Sequence, residues 1–201
     1  MHGAGIMYDE ELFEIKQMIK RYKRSLPELC IVILGPGKHN SDLYAKKCYN
    51  KRCQIKRELK SEHNVFFFEE IYEKAKQENI DVPNILQFEI VLAREEPDVI
   101  IAIFALEALG LQAEIVAFSQ HQDIAEKMYV FYDSTHYNRG DSKYWQVNNA
   151  LDLIEGHNGK TEPFVEKDID ECRLLYKIKN LIEQKRRALS ILPYIRYGGD
   201  K

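Results

Sequence analysis

The sequence predicts an α/β protein, a three-layer sandwich built on a parallel five-stranded sheet in the strand order 2-1-3-4-5. Three observations predict it. Val99 to Phe104, VIIAIF, is an unbroken apolar run rich in β-branched residues and introduced by Pro97-Asp98, which suits a strand covered on both faces. Short apolar runs alternate along the chain with segments of helical periodicity, the pattern of a parallel sheet. Right-handed crossovers then set the strand order, and ligands on such sheets sit beyond the carboxyl ends of the strands.

A chain of 201 residues can bury a substantial core, and one domain over residues 1–201 is the natural count. An apolar fraction of 45% and a charged fraction of 30% are those of a soluble globular protein. The net charge of −3 provides no overall basic field and argues against nucleic acid as a partner. No apolar run has the length of a membrane span, and the segment before the first helix does not read as a signal peptide. Cys30, Cys48, Cys53 and Cys172 include no CxxC pair and no suitably spaced His partner for zinc. Cys30, in a strand, and Cys172, in a helix, read as core thiols, so a reduced, cytoplasmic protein is expected.

Taken in order, Asp9 to Ser25 places Leu12, Phe13, Ile15, Met18, Ile19 and Tyr22 at helical spacing, with acids at its start and bases at its end to match the helix dipole. Leu29 to Leu34 is the first strand. It runs into Gly35-Pro36-Gly37-Lys38-His39-Asn40-Ser41, where glycines permit a sharp turn or close approach of the backbone to a ligand, and where the next helix start could receive a phosphate. The spacing is that of neither a Walker A loop nor GxGxxG. Ser41 to Ser61 is a long basic helix with Tyr44, Cys48, Ile55 and Leu59 as its buried candidates. Its Lys46, Lys47, Lys51, Arg52, Lys56, Arg57 and Lys60 form either a solvated face or an attraction for a polyphosphate.

Asn64 to Phe68 is the second strand, ending at Glu69-Glu70, one of which could bind ribose hydroxyls or simply start a helix. Pro83 opens a helix over Asn84 to Glu96, with Ile85, Phe88, Val91 and Leu92 on one side. Gln87 and Glu89 could face a site. After the central strand, Gly110 begins a helix in which Glu114 lies among Ala113, Val116 and Ala117; a carboxylate near a helix start is favoured by the dipole. Lys127 to Asp133 is the fourth strand, followed by Ser134-Thr135-His136-Tyr137, a polar cluster in which His136 could act as acid or base or lie exposed. Lys143 to Leu153 is a short helix, Pro163 to Val165 a short strand, and Asp168 to Leu189 the closing helix, with a loose tail after Pro193. The assembled order is that of flavodoxin-like folds.

A strand with Asp98 at its start, a loop with Gly110, and Glu114 inside a small and apolar helix resembles the nucleoside 2-deoxyribosyltransferase family and the related NAD-cleaving TIR-type domains. The resemblance covers roughly residues 30–133. In both groups a glutamate of this helix acts at the anomeric carbon of a ribosyl group, and the matching position is Glu114, within Gly110-Leu-Gln-Ala-Glu-Ile. The Gly35-Pro36-Gly37 turn resembles the turn that helps form the nucleoside pocket of the deoxyribosyltransferases. Where those enzymes usually place an Asp after the third strand, this chain has Ala105-Leu106-Glu107.

The resemblance implies cleavage or transfer at the N-glycosidic bond of a nucleoside, nucleotide or NAD, with no cofactor and no metal. Glu114 would attack the anomeric carbon or stabilise the oxocarbenium-like transition state, and Asp133 or Glu69 would orient the sugar hydroxyls, following the two-carboxylate logic of glycoside hydrolysis. Gly35, Pro36, Gly37, Lys38, Asn40 and Gly110 would line the substrate site, with Tyr44, Phe104 or Tyr137 stacking on the base. The implied partners are a small-molecule nucleoside or nucleotide and further copies of the chain in a homo-oligomer, with no nucleic acid and no membrane. A non-catalytic nucleotide sensor of the same fold is the alternative. A receiver-like signalling domain is disfavoured because Cys30 to Gly37 lacks the acidic pair such domains carry.

Overall fold

The structure, a computed structural model, describes residues 26–82 and 84–197, the last seven of these by their backbone alone. The helix expected over Asp9 to Ser25, and Pro83, lie outside the described residues. The chain divides into two compact units, one of Leu29–Lys179 and one that joins Met1–Glu28 with Asn180–Lys201.

In the larger unit the expected sheet is present. Strands β1 (Cys30–Leu34), β2 (Asn64–Phe66), β3 (Val99–Phe104), β4 (Met128–Asp133) and β5 (Lys160–Phe164) are all parallel, in the order β2-β1-β3-β4-β5. The helices are α1 (Leu43–Leu59), α2 (Phe68–Gln77), α3 (Ile85–Glu95), α4 (Leu109–Ser119), α5 (Gln122–Ala125), α6 (Trp145–Gly156), α7 (Glu166–Asp170) and α8 (Arg173–Tyr197); a single 3-10 turn, Ser142–Tyr144, precedes α6. The backbone of α8 continues past Pro193, where the sequence suggested a loose tail.

All six residues of β3 are buried, as its unbroken apolar run requires. Strand alternation divides them. Ile100, Ala102 and Phe104 join Val32 and Leu34 of β1, Leu111, Ile115 and Phe118 of α4, and Val147, Leu151 and Ile154 of α6 in one core cluster. Ile31, Ile33, Val99, Ile101 and Ile103 point to the opposite face and are equally inaccessible. Helices therefore cover both sides of the sheet.

Local differences from the sequence reading have identifiable causes. Strand β2 stops at Phe66, because Phe67 already has its backbone at the cap of α2 and Glu70 reaches back to the Phe67 amide. Helix α3 is capped by the Asn84 side chain, which accepts from the Gln87 amide, but its inner face carries Leu86, Glu89, Ile90 and Ala93, whereas Ile85 and Val91 are exposed. The helix is thus rotated so that an acid faces inward. Cys172 does not lie in a helix. It forms the break between α7 and α8, with a left-handed φ of 59°, and both Cys30 and Cys172 are only partly buried.

Gly159 is set by close approach. A Cβ there would lie 2.3 Å from the Ala125 carbonyl oxygen and 2.5 Å from Ile154 Cγ2, in the turn that feeds β5. Gly159→Ala should lower stability by about 1–3 kcal/mol in urea denaturation, whereas Gly156→Ala, which meets nothing within 4 Å, should leave the midpoint unchanged or raise it.

Candidate functional site

A cavity of about 1300 Å³ opens at the carboxyl edge of the sheet, on the β2 and β1 side. Its floor and walls come from five elements. The β1 turn contributes Gly35, Pro36, Gly37, Lys38, His39 and Asn40. Helix α1 and its C-cap Lys60 contribute one stripe at helical spacing, Tyr49, Cys53, Lys56, Arg57 and Lys60. Phe67 and the exposed face of α2 form a third wall, with Glu69, Glu70, Tyr72, Glu73, Lys74 and Gln77. Ile85 and Glu89 of α3 and Ala108, Leu109, Gly110, Leu111 and Glu114 at the start of α4 complete it. This is the strand-order switch point between β1 and β3, where such sheets hold ligands.

Arg52 frames the cavity from behind. Its side chain is almost wholly buried, yet it projects from α1 under the β1 turn. Nε and Nη2 donate to the Ile33 carbonyl at 2.9 and 2.7 Å, and Nη1 reaches the Gly35 and Pro36 carbonyls at 3.4 and 3.5 Å. Nη1 and Nη2 also clasp Glu69 in a bidentate pair at 2.7 and 2.8 Å, and the guanidinium lies 4.0 Å from the centre of the Phe67 ring. A Cβ on Gly35 would sit 3.0 Å from Arg52 Cδ, so glycine gives the arginine stem its passage. Asn40 ties this turn to the next, donating to the Glu107 carbonyl at 3.2 Å.

Two carboxyl groups with raised pKa values line the cavity. Burial pushes Glu114 up to about 8, the Glu89 charge adds to the rise, and Arg52 opposes it. Burial pushes Glu89 up to about 7, with Glu69 adding and Arg52 opposing. Burial would also raise Glu69, but the hydrogen bonds and charge of Arg52 outweigh it and hold that carboxyl below its ordinary value. The arginine thus fixes one acid as an anion while the other two retain protons near neutrality.

The structure brings together most of the residues singled out from sequence: Gly35, Pro36, Gly37, Lys38, Asn40, Glu69, Gly110 and Glu114 all line the cavity. Four lie elsewhere: Asp133 ends and Tyr137 follows β4, which sits beyond β3 from the cavity, while Phe104 points into the core and Tyr44 packs at the end of β4. Asp133 is fully buried at the end of β4, where it accepts from the Thr135 amide at 2.9 Å and holds His136 Nδ1 at 2.5 Å. That hydrogen bond raises the His136 pKa. Tyr44 packs on the His136 ring, with centroids 4.7 Å apart, and its buried hydroxyl faces Asp133 and Cys48 without a well-formed hydrogen bond. Phe104 and Tyr137 pack edge to face in the core at 5.1 Å, the Tyr137 hydroxyl donating to Asn148. Arg52 was read from sequence only as one of a basic series; a buried arginine leaves no mark in a helical charge run. Glu89 was noted there without a role. Among the described residues no group of His, Cys, Asp or Glu is arranged to hold a metal, and no helix is long and apolar enough to cross a membrane.

Arg52→Met should destabilise the fold by about 3 kcal/mol in urea denaturation, since it strands buried carbonyls and removes the partner of Glu69, while Glu69→Gln, on a half-exposed side chain, should lose about 1 kcal/mol. Glu89 and Glu114 also set a pH dependence. Their folded values lie above the ordinary 4.5, so their contribution to stability is complete below about 4.5 and is lost as pH rises toward about 7 and about 8. The double variant Glu89→Gln/Glu114→Gln should flatten that decline in unfolding midpoints measured from pH 5 to 8.5.

No curated protein matches the chain. Residues 47–191 match the family model described as STM3845 retron effector protein, a stretch that begins inside α1 and includes Arg52, Glu69, Glu89 and Glu114. With more than half of its length matched, the chain belongs to the STM3845 retron effector protein family.

Proposed function

We propose that the cavity cleaves or transfers at the N-glycosidic bond of a nucleoside, nucleotide or NAD. The observation that carries the reading is the pair Glu114 and Glu89, two carboxyl groups of raised pKa at the carboxyl edge of a parallel sheet, beside the Gly35-Pro36-Gly37 turn. The resemblance of the Gly110 to Glu114 segment to the deoxyribosyltransferases supports the assignment of Glu114. Membership of a retron effector family accords with a chain that delivers a reaction, though it does not name one.

The chemistry follows from the charge state. Between about pH 7 and 8 the pair passes through a form with one proton. Most of that form holds its proton on Glu114; the reacting fraction is the smaller one with the proton on Glu89, in which the Glu114 carboxylate bonds to the anomeric carbon as the carbon–nitrogen bond breaks and the electron pair of that bond goes to the base nitrogen. For a neutral nucleoside or nucleotide Glu89 supplies the proton the base then carries, whereas the nicotinamide of NAD leaves neutral with the electron pair and needs none. Water attacks the anomeric carbon, gives its proton to Glu89 and releases Glu114 as a carboxylate; a second base in place of water gives transfer. The sequence reading gave Glu89 no part beyond a position that could face a site. Glu69, kept ionised by Arg52, is the acid suited to sugar hydroxyls.

The raised pKa of Glu114 also favours a second reading, a nucleotide sensor without turnover, because a protonated carboxyl is a poor nucleophile. Incubation with NAD and a panel of nucleosides and nucleotides, followed by chromatography for free base, separates the two. Release should occur, fall at least 100-fold in Glu114→Gln, and follow a bell-shaped pH profile with limbs near about 7 and about 8. In Glu89→Gln the alkaline limb should be lost along with most of the rate, since that limb reports the proton that Glu89 supplies. Base release at full rate in Glu114→Gln would remove the assignment, and binding with no release would select the sensor.

A further inference from the structure

Five lysines and arginines and five glutamates line the cavity, but four of these cations have no acid partner among the described residues. Of the basic series on α1, Lys47 is paired with Glu166 and Asp170, Lys51 with Gln54, and Arg52 with Glu69. Lys56 faces the cavity but is paired with Glu70. Arg57 and Lys60 also face it, one turn apart on the same stripe, and neither forms an ion pair among the described residues. Lys38 in the β1 turn and Lys74 on α2 line the same space and form none either. The acids are already occupied. Glu69 and Glu70 are taken by Arg52 and Lys56, Glu73 lies 3.7 Å from Lys76, and Glu89 and Glu114 hold protons near neutrality.

We propose that Arg57, Lys60, Lys38 and Lys74 form a phosphate subsite, so that the substrate of this cavity is a 5′-phosphorylated nucleotide and not a free nucleoside. The proposal rests on the glycosidic reading for its sugar and base, and on the charge arrangement for its phosphates. A cavity of about 1300 Å³ exceeds the usual range for a small ligand and has room for a phosphate chain beyond base and sugar. The cations come from three different elements, the β1 turn, α1 and α2, so they converge on a shared volume in place of forming a single solvated helix face. Their exposure at the mouth leaves the protonated carboxyl pair on the inner side, an order that matches phosphate, sugar and base along a nucleotide.

Isothermal titration of the full chain with adenosine, guanosine, cytidine and uridine, each beside its 5′-diphosphate, tests this directly. At least one diphosphate should bind ten-fold or more tighter than its nucleoside at low salt, the gap should shrink as salt rises, and inorganic pyrophosphate should compete. Arg57→Glu/Lys60→Glu, two exposed positions, should close the gap while leaving the circular dichroism spectrum unchanged. Equal affinities within every pair, or a gap that survives the double variant, would overturn the proposal. Base release followed in the same samples keeps the two readings apart. Selective diphosphate binding with no release would remove the glycosidic reading and leave the phosphate subsite standing. Release from nucleosides and diphosphates at equal kcat/KM would do the reverse.

Discussion

The site depends on one buried guanidinium. Arg52 leaves α1 and terminates beneath the β1 turn, where it satisfies the Ile33 carbonyl, steadies Gly35 and Pro36, clasps Glu69 and covers Phe67. A buried cation is costly unless every donor is used, and here the donors are directed to backbone and carboxylate together. The arrangement joins the ends of β1 and β2 to α1. It also fixes the electrostatics of the cavity, because Glu69 is held as an anion while the Arg52 charge only partly offsets the burial that raises Glu89 and Glu114.

From that frame the layout of the cavity follows by position. The parallel order β2-β1-β3-β4-β5 puts the turns after β1 and β3 next to each other, and Asn40 fastens one to the other through the Glu107 carbonyl. Helix α4 starts from the second turn and delivers Glu114 to the cavity, while α3, rotated to bury its Glu89 face, supplies the companion acid. A carboxyl pair whose two values fall near neutrality is a suitable device for exchanging a proton with a leaving base, and equally a device that costs stability as pH rises.

Sheet order and the central strand were legible in the sequence because VIIAIF admits few other settings, and because βα alternation with right-handed crossovers leaves few topologies. The position of the glycine turn and of Glu114 beside one cavity was legible for a related reason: both follow strands at the carboxyl edge of the sheet. Asp133 was misplaced because the carboxyl ends of β1 and β4 share an edge but not a neighbourhood; β3 stands between them, and Asp133 instead organises the turn around His136. Phe104 and Tyr137 read as stacking aromatics, yet packing each other in the core was the stronger use of their surface. The roles of Arg52 and Glu89 depend on helix rotation and on a partner far along the chain, which periodicity does not encode.

The most direct measurement is a carbon-13 NMR titration of protein labelled at the glutamate side-chain carboxyls. Two resonances should titrate near about 7 and about 8, with one lost in Glu89→Gln and the other in Glu114→Gln, while Glu69 titrates below the ordinary 4.5 and moves up in Arg52→Met. Glutamates that all titrate close to 4.5 would contradict the account, since no carboxyl pair would then hold a proton in the cavity at neutral pH.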